Sequence, residues 1–261
     1  RMRVRPRPTW RGKANVLFDD FDDAVACTRE IAQSGLFPSN CRLLDKREAM
    51  LNQVAAGSHV LLLGFESAHG PRDAQLADAL AICARHKGEG KATSSADGDE
   101  AATWKASFLE APYMATTLVT MGLMADTFET ACHWSVFPAL HAELLSTVRG
   151  VLTELCGGGF LSCRFTHVYP DGPAPYYTFI GRPPPGAEVD TWWAVKRAAS
   201  DVLARHGATI THHHAVGRFH RPWYTRQSPG PFLTALQATK DVLDPAGVLN
   251  PGVLLPTRDP R

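Results

Sequence analysis

FLSCRFTHVYPDGPAPYYTFIG (160–181) reads as two strands, Phe160–Val168 and Tyr176–Gly181. The loop YPDGPAP between them carries the prolines and glycine that favour a turn. Upstream, Phe137–Leu155 reads as a long helix closed by three glycines, and DTFETAC (126–132) as a strand. Downstream, Asp190–His206 reads as a helix and Ala208–His212 as a last strand. Strand–helix–strand–strand–helix–strand is the ferredoxin-like split arrangement. It predicts an α+β fold, an antiparallel sheet with helices on one face.

The residues before this block carry a shorter pattern of alternating strands and helices. RMRVRPRP (1–8) suits an incoming strand stopped by prolines, and Asn15–Phe18 a short strand. Asp19 and Asp20 offer an N-cap to a helix over Phe21–Ser34, which Gly35 ends. CRLLD (41–45) and HVLLLGFE (59–66) read as strands, with helices over 46–55, Asp73–Arg85 and Tyr113–Gly122. The polar, glycine-bearing stretch 86–101 reads as a mobile loop. The expected division is 1–110 and 111–261, the second being the ferredoxin-like part with a C-terminal tail. No internal repeat stands out.

Composition narrows the function classes. The 261 residues hold 27 Lys+Arg against 26 Asp+Glu, a net charge of +1. That balance gives no reason to expect nucleic acid or an anionic membrane as partner. No apolar run approaches the roughly 20 residues of a spanning helix. Six cysteines without a CxxC pair read as reduced thiols in a cytoplasmic protein.

Three places could carry chemistry. THHHAVG (211–217) sets three imidazoles side by side, groups that titrate near neutral pH and suit proton transfer or stabilisation of an oxyanion. On a strand, His212 and His214 would share one side and His213 the other. A solvated loop is the plain alternative. A metal would need further ligands from His167, His220 or Asp171, and no spacing matches a zinc signature, so none is expected. HVYPDGPAPYYTF (167–179) holds three tyrosines, candidates for proton exchange or for core packing. Arg42, inside an otherwise apolar strand, could fork a carboxylate or phosphate, or pair with Asp45. GRFHRPWYTRQ (217–227) could line an anionic pocket, while LDPAGVLNPG (243–252) looks structural.

Together these stretches resemble the C-terminal part of the FAD-linked oxidases of the vanillyl-alcohol oxidase superfamily, nearest to the alkyldihydroxyacetonephosphate synthases. The resemblance runs in order through RVRPRP, FDDAVACTREIA, PSNCRLLDK, LLLGFES, DTFETACHW, CRFTHVYPDG, APYYTF, THHHAVG and LDPAGVLNPG. It implies that Tyr176 exchanges a proton with the substrate carbon. It implies too that His212, His213 and His214 form the histidine triplet required for activity, and that Arg42 is the functional arginine of an RLxD motif. One departure bears on the substrate. Where the synthases have Arg–Asp in the helix after a tyrosine, this chain has Ala115 and Thr116. A phosphate bound there would lose a charge-assisted hydrogen bond of about 1.5–3 kcal/mol.

The resemblance further implies FAD as cofactor, held mainly by an N-terminal domain absent from this chain, where no nucleotide fingerprint occurs. The expected function is the substrate-binding half of a synthase-like transferase of ether-lipid type, exchanging acyl for alkyl on a dihydroxyacetone phosphate ester, inactive as an isolated piece. The alternatives are an FAD-dependent oxidase or dehydrogenase of an alcohol or 2-hydroxy acid, and a degenerate binding module without catalysis. Expected partners are a small-molecule or lipid-like substrate and the chain's own FAD domain. Apolar surface left by that domain predicts self-association, as in a homodimer.

Overall fold

The computed structural model describes residues 2–4, 6–93, 113 and 116–256. Its centre is one seven-stranded sheet of order β4-β1-β3-β2-β6-β7-β5, every registered pair antiparallel. The strands are β1 (Trp10–Phe18), β2 (Asn40–Leu44), β3 (His59–Ser67), β4 (Glu89–Thr93), β5 (Met124–Glu129), β6 (Gly159–Val168) and β7 (Pro173–Gly181). The helices are α1 (Phe21–Gln33), α2 (Lys46–Leu51), α3 (Asp73–Arg85), α4 (Phe137–Cys156), α5 (Glu188–Arg205), α6 (Arg221–Gln227) and α7 (Gly230–Leu243). The fold is α+β, as the sequence pattern predicts. No helix among the described residues is long and apolar enough to cross a membrane.

Alternation along the strands decides which side chains meet the helices. Leu43, Leu61, Leu63, Phe165, Tyr177 and Phe179 point into one core with buried residues of α1, α3, α4 and α5. α1 contributes Ala24, Cys27, Thr28 and Ile31, spaced three and four apart as a helical stripe requires. Each large apolar side chain buried in this way is worth about 1.5–3 kcal/mol. The intervening residues face the other way. There the short helix α2 covers a small separate cluster of Leu44, Ala49, Val54, Val60 and Leu62. All six cysteines are free thiols.

The first half turns out to be the complete ferredoxin-like unit. Its strands lie in the order β4-β1-β3-β2, and β5, β6 and β7 repeat that pattern outward from a shared β2/β6 seam. The expected mobile loop is corrected over 89–93. Those residues form β4 and pair with β1 from Leu17↔Glu89 to Lys13↔Thr93. Glycine explains why it fits: a Cβ on Gly90 would stand 2.7 Å from Val16 Cγ2. The first strand is β1 at Trp10–Phe18, and the described residues of 1–8 form no strand. Residues 94–101 and Ala115 lie outside the described residues, and Tyr113–Gly122 is described only in part, helical at 113 and 116–120.

The strand expected at Ala208–His212 is a second correction. Gly207, at φ +65°, lets the chain leave α5 in a left-handed turn. The backbone beyond it bonds largely to side chains instead of a ladder. Ile210 N–H donates to Gln227 Oε1 (3.0 Å) and the Thr209 carbonyl accepts from Thr130 Oγ1 (2.5 Å). The segment still lies along the end of β5, where Thr209 N–H donates to the Ala131 carbonyl at 3.0 Å, an ordinary backbone bond.

Candidate active site

The β6–β7 hairpin places its functional residues by register. Arg164 faces Tyr176, and Tyr176 faces Glu129 across β7 and β5. Leu44 pairs with Arg164 on the other side. Arg42, two residues from Leu44, therefore shares this second face of the sheet with Arg164, Tyr176 and Glu129. Gly172 seats the hairpin tip. A Cβ there would lie 1.8 Å from the Cys132 carbonyl oxygen. That closeness lets Cys132 N–H reach the Pro173 carbonyl (3.2 Å) and Trp134 N–H the Asp171 carbonyl (3.1 Å).

Tyr176 stands between a guanidinium and the histidines. The Arg164 guanidinium carbon lies 3.9 Å from the Tyr176 ring centre. The His213 ring is stacked at 6.0 Å, and His214 meets the same ring edge-on at 5.1 Å. The Tyr176 hydroxyl donates to Thr127 Oγ1 at 3.0 Å. Arg164 is anchored from α2, where its Nη1 bonds Glu48, a fully buried carboxylate that also accepts from Ser162 Oγ at 2.5 Å.

The histidine triplet wraps a carboxylate that the sequence reading passed over. Glu129, 3% exposed, accepts at Oε1 the backbone N–H groups of His212 (3.0 Å), His213 (2.6 Å) and His214 (2.6 Å). The Thr211 hydroxyl adds a fourth bond at 2.9 Å. Desolvation pushes the Glu129 carboxyl upward, yet these bonds outweigh it and hold its pKa below the ordinary value. Since the segment is a turn and not a strand, the expected alternation fails, and all three imidazoles approach Glu129. His213 Nδ1 lies 2.5 Å from Oε2, while His212 and His214 stand at 4.0 Å.

The surroundings depress other basic groups. Burial lowers the His214 pKa, with Glu129 acting against it and the charges of His213 and Lys196 adding to it. Burial and then Arg164 lower that of Arg42. His167 is lowered by burial and by His212 and His213, whose rings lie 5.2 and 5.6 Å from its own. Tyr169 joins from the hairpin tip, its hydroxyl 2.9 Å from His212 Nε2. Tyr177, in contrast, is buried on the helix side and bonds His141 Nδ1 at 2.9 Å, a core residue.

Donor atoms of His167, His212 and His213, and of Glu129, His213 and His214, fall within 4.8 Å of one another. His220 and Asp171 join neither group. The 2.5 Å contact of Glu129 with His213 is shorter than the roughly 3.3 Å separating two ligands of one tetrahedral zinc. The arginines of 217–227 do not form the anionic pocket considered above. Arg218 and Arg221 bond the carbonyls of Pro251 and Gly252 and fasten the tail. Asp244, accepting from Val248 and Leu249 N–H (both 3.0 Å), gives LDPAGVLNPG its structural role. A groove of about 680 Å³ opens on the helix side beside α1, lined by Arg29, Ile82 and Trp134, away from this cluster.

Among the described residues, two buried side-chain atoms lack a hydrogen-bond partner: Glu129 Oε2 and Arg164 Nε. The first touches His213 without the alignment of a hydrogen bond. Both flank Tyr176. Unsatisfied groups of this kind are costly and concentrate where a ligand completes them.

Residues 7–254 match the family of FAD linked oxidases, C-terminal domain. The alkyldihydroxyacetonephosphate synthase of Trypanosoma brucei brucei is 24% identical over 92% of this chain, which spans 43% of that relative. A solved alkyldihydroxyacetonephosphate synthase superposes on 96% of the chain with TM-score 0.75 and 17% identity, covering 46% of that structure. p-Cresol methylhydroxylase with substrate bound superposes on 97% with TM-score 0.72 and 14% identity, covering 55%. At these identities the superpositions speak for the fold.

Proposed function

The chain belongs to the family of FAD linked oxidases, C-terminal domain, and on that premise we propose that it forms the substrate-binding half of an FAD-dependent enzyme. The observation that carries this reading is Tyr176, held between Arg164 and His213 on the face that the main helices leave clear. A flat, polar ring system suits that face. It offers aromatic rings, two cationic side chains and two buried polar atoms without partners. FAD, held mainly by a preceding domain, would supply the electron-accepting ring. Tyr176, His213 and Arg42 would border it.

The chain's own residues would then do acid–base work. At rest the Tyr176 hydroxyl donates to Thr127; to take the substrate carbon's proton its O–H proton would first pass to a neighbouring imidazole, and the phenol O–H bond would re-form as the substrate C–H bond breaks. The three imidazoles stabilise anionic oxygen or activate an incoming alcohol. Arg42 and Arg164 keep the face positive, so a carboxylate or phosphate ester is drawn to it. Our first reading is exchange of acyl for alkyl on a dihydroxyacetone phosphate ester, the activity its synthase relatives are named for. Ala115 and Thr116 in place of Arg–Asp favour a second reading, oxidation of an alcohol or 2-hydroxy acid.

Protein purified from the full-length gene tests both readings. Flavin absorbance with acyl–alkyl exchange supports the first, and flavin reduction by an alcohol or hydroxy acid the second. Protein that stays colourless with added FAD overturns both and leaves a binding module.

A further inference from the structure

β5 ends the strand order, so among the described strands nothing pairs with its outer edge. A lysine from the helix side occupies that edge. Lys196 of α5 is 6% exposed, and lysine is buried so deeply only when its ammonium is paired. Its Nζ donates to the Thr127 carbonyl and stands 3.1 Å from Asp126 Oδ2. Trp192 Nε1 donates to the same carboxylate oxygen at 2.7 Å and fixes Asp126 in turn. The rings of Trp192 and Phe219 lie 5.7 and 5.1 Å from the ammonium. β5 is thus gripped at two adjacent residues, by the side chain of Asp126 and by the main chain of Thr127. The Thr127 side chain points to the opposite face, where its Oγ1 accepts the Tyr176 hydroxyl at 3.0 Å.

We propose that Lys196 is a positioning residue of the site, acting through Thr127 on the Tyr176 hydroxyl. The link is mechanical. Threonine is branched at Cβ and stiff at χ1, so the place of Oγ1 follows the backbone that Lys196 holds. The bond to that oxygen turns the phenol O–H toward the edge strand. An edge free to shift would carry Oγ1 with it, and a hydrogen bond weakens steeply as its angle closes. The phenol would then rest in several orientations, and the one suited to proton exchange would be populated only part of the time. The inference rests on the functional reading above for what Tyr176 does. The placement of its hydroxyl does not depend on that reading.

The test uses the full-length, flavin-loaded protein with ¹³Cζ-labelled tyrosine, whose NMR signals report the hydrogen bond of each phenol. Tyr176 and Tyr177 are assigned by loss of signal in Tyr176→Phe and Tyr177→Phe. Tyr177 is the control, next in sequence but bonded to His141 on the helix side. Lys196→Met keeps an unbranched stem and leaves Asp126, whose side chain is 35% exposed, to water. It is expected to move the Tyr176 signal and leave that of Tyr177 in place. Thr127→Val, which removes the acceptor itself, is expected to do the same. Each should lower kcat about tenfold with KM changed less than about twofold, and the double variant should fall no further than either single. Lys196→Arg should recover part of kcat. An unmoved Tyr176 signal in either variant overturns the proposal, in Thr127→Val even if Lys196→Met fails to fold. So does a Tyr177 signal that moves with it, or a double variant whose loss is the product of the two, the mark of a lysine that only braces the fold. Absence of flavin or turnover in the unmodified protein counts against the functional reading, and the two tyrosine signals still decide this one.

Discussion

Arg164 lies over Tyr176, its guanidinium carbon 3.9 Å from the ring centre, while its Nη1 is committed to the fully buried Glu48. One side chain thus supports the candidate catalytic phenol and neutralises a buried carboxylate of another element. Lysine can do neither job well, because it lacks the planar fork. Arg164→Met should leave Glu48 buried without its cationic partner and cost about 3–5 kcal/mol in chemical denaturation. Arg164→Lys should cost less stability and still lower turnover about tenfold. A Met variant as stable as the unmodified protein would count against the pairing.

Tyr176→Phe removes a single oxygen from the centre of the site. The lost bond to Thr127 is a neutral one, so stability should change by only about 1 kcal/mol. Turnover of the full-length enzyme should fall by orders of magnitude with KM little altered. Steady-state kinetics checks this, and unchanged kcat removes Tyr176 from the mechanism.

Acid stability should report His141. Burial lowers its pKa from 6.5 to about 4, so the native state keeps it neutral where the unfolded chain binds a proton. Its contribution is therefore full above about pH 6.5 and is lost as pH falls toward 4, a change of about 3 kcal/mol. Asp45 works the opposite way. Desolvation raises it to about 6, so it favours the fold at low pH and loses that advantage as pH rises through 6. The two overlap, and only a difference measurement separates them. His141→Gln, able to keep the bond to Tyr177, should flatten the slope between pH 4 and 6.5 relative to the unmodified protein. Identical slopes would refute the assignment.

Gly172→Ala should be among the most damaging small substitutions. The added carbon would meet the Cys132 carbonyl oxygen at 1.8 Å, a backbone atom that cannot swing aside. Overpacking of this kind costs about 1–3 kcal/mol. The hairpin tip must lift, taking Tyr169 away from His212. Thermal unfolding and the Tyr169 fluorescence environment should change together.

How much of this was legible in the chain depends on how local each signal is. The β6–β7 hairpin was plain, since prolines and a glycine punctuate two alternating runs. The triplet was plain as well. Glu129 was not, because inside DTFETAC a glutamate reads as one more polar strand position. Its partners come from residues more than 80 positions downstream, a separation no local pattern spans. Arg164 was missed for a related reason. It alternates with Cys163 and Phe165 as a solvent-facing residue would, and its carboxylate partner sits on α2. β4 was hidden by its own composition, glycine and charge, which suits an edge strand pressed on β1. Ala208–His212 misled in the opposite sense, with β-formers whose backbone bonds go elsewhere.

The β2/β6 seam carries a final consequence. Its register is two residue pairs long, Leu43↔Phe165 and Leu44↔Arg164, extended by Asp45 and Cys163, which exchange bonds of 2.9 and 2.8 Å. Arg42 hangs from one side of this crease and Tyr176 from the other. Ser162 and Arg164 of β6 both bond Glu48 of α2 across it, so the spacing of the two is braced by a buried carboxylate as well as by the ladder. The floor beneath the candidate site is therefore pinned where its two halves meet, and Arg42 is held in register with the side chains of the β5–β7 side.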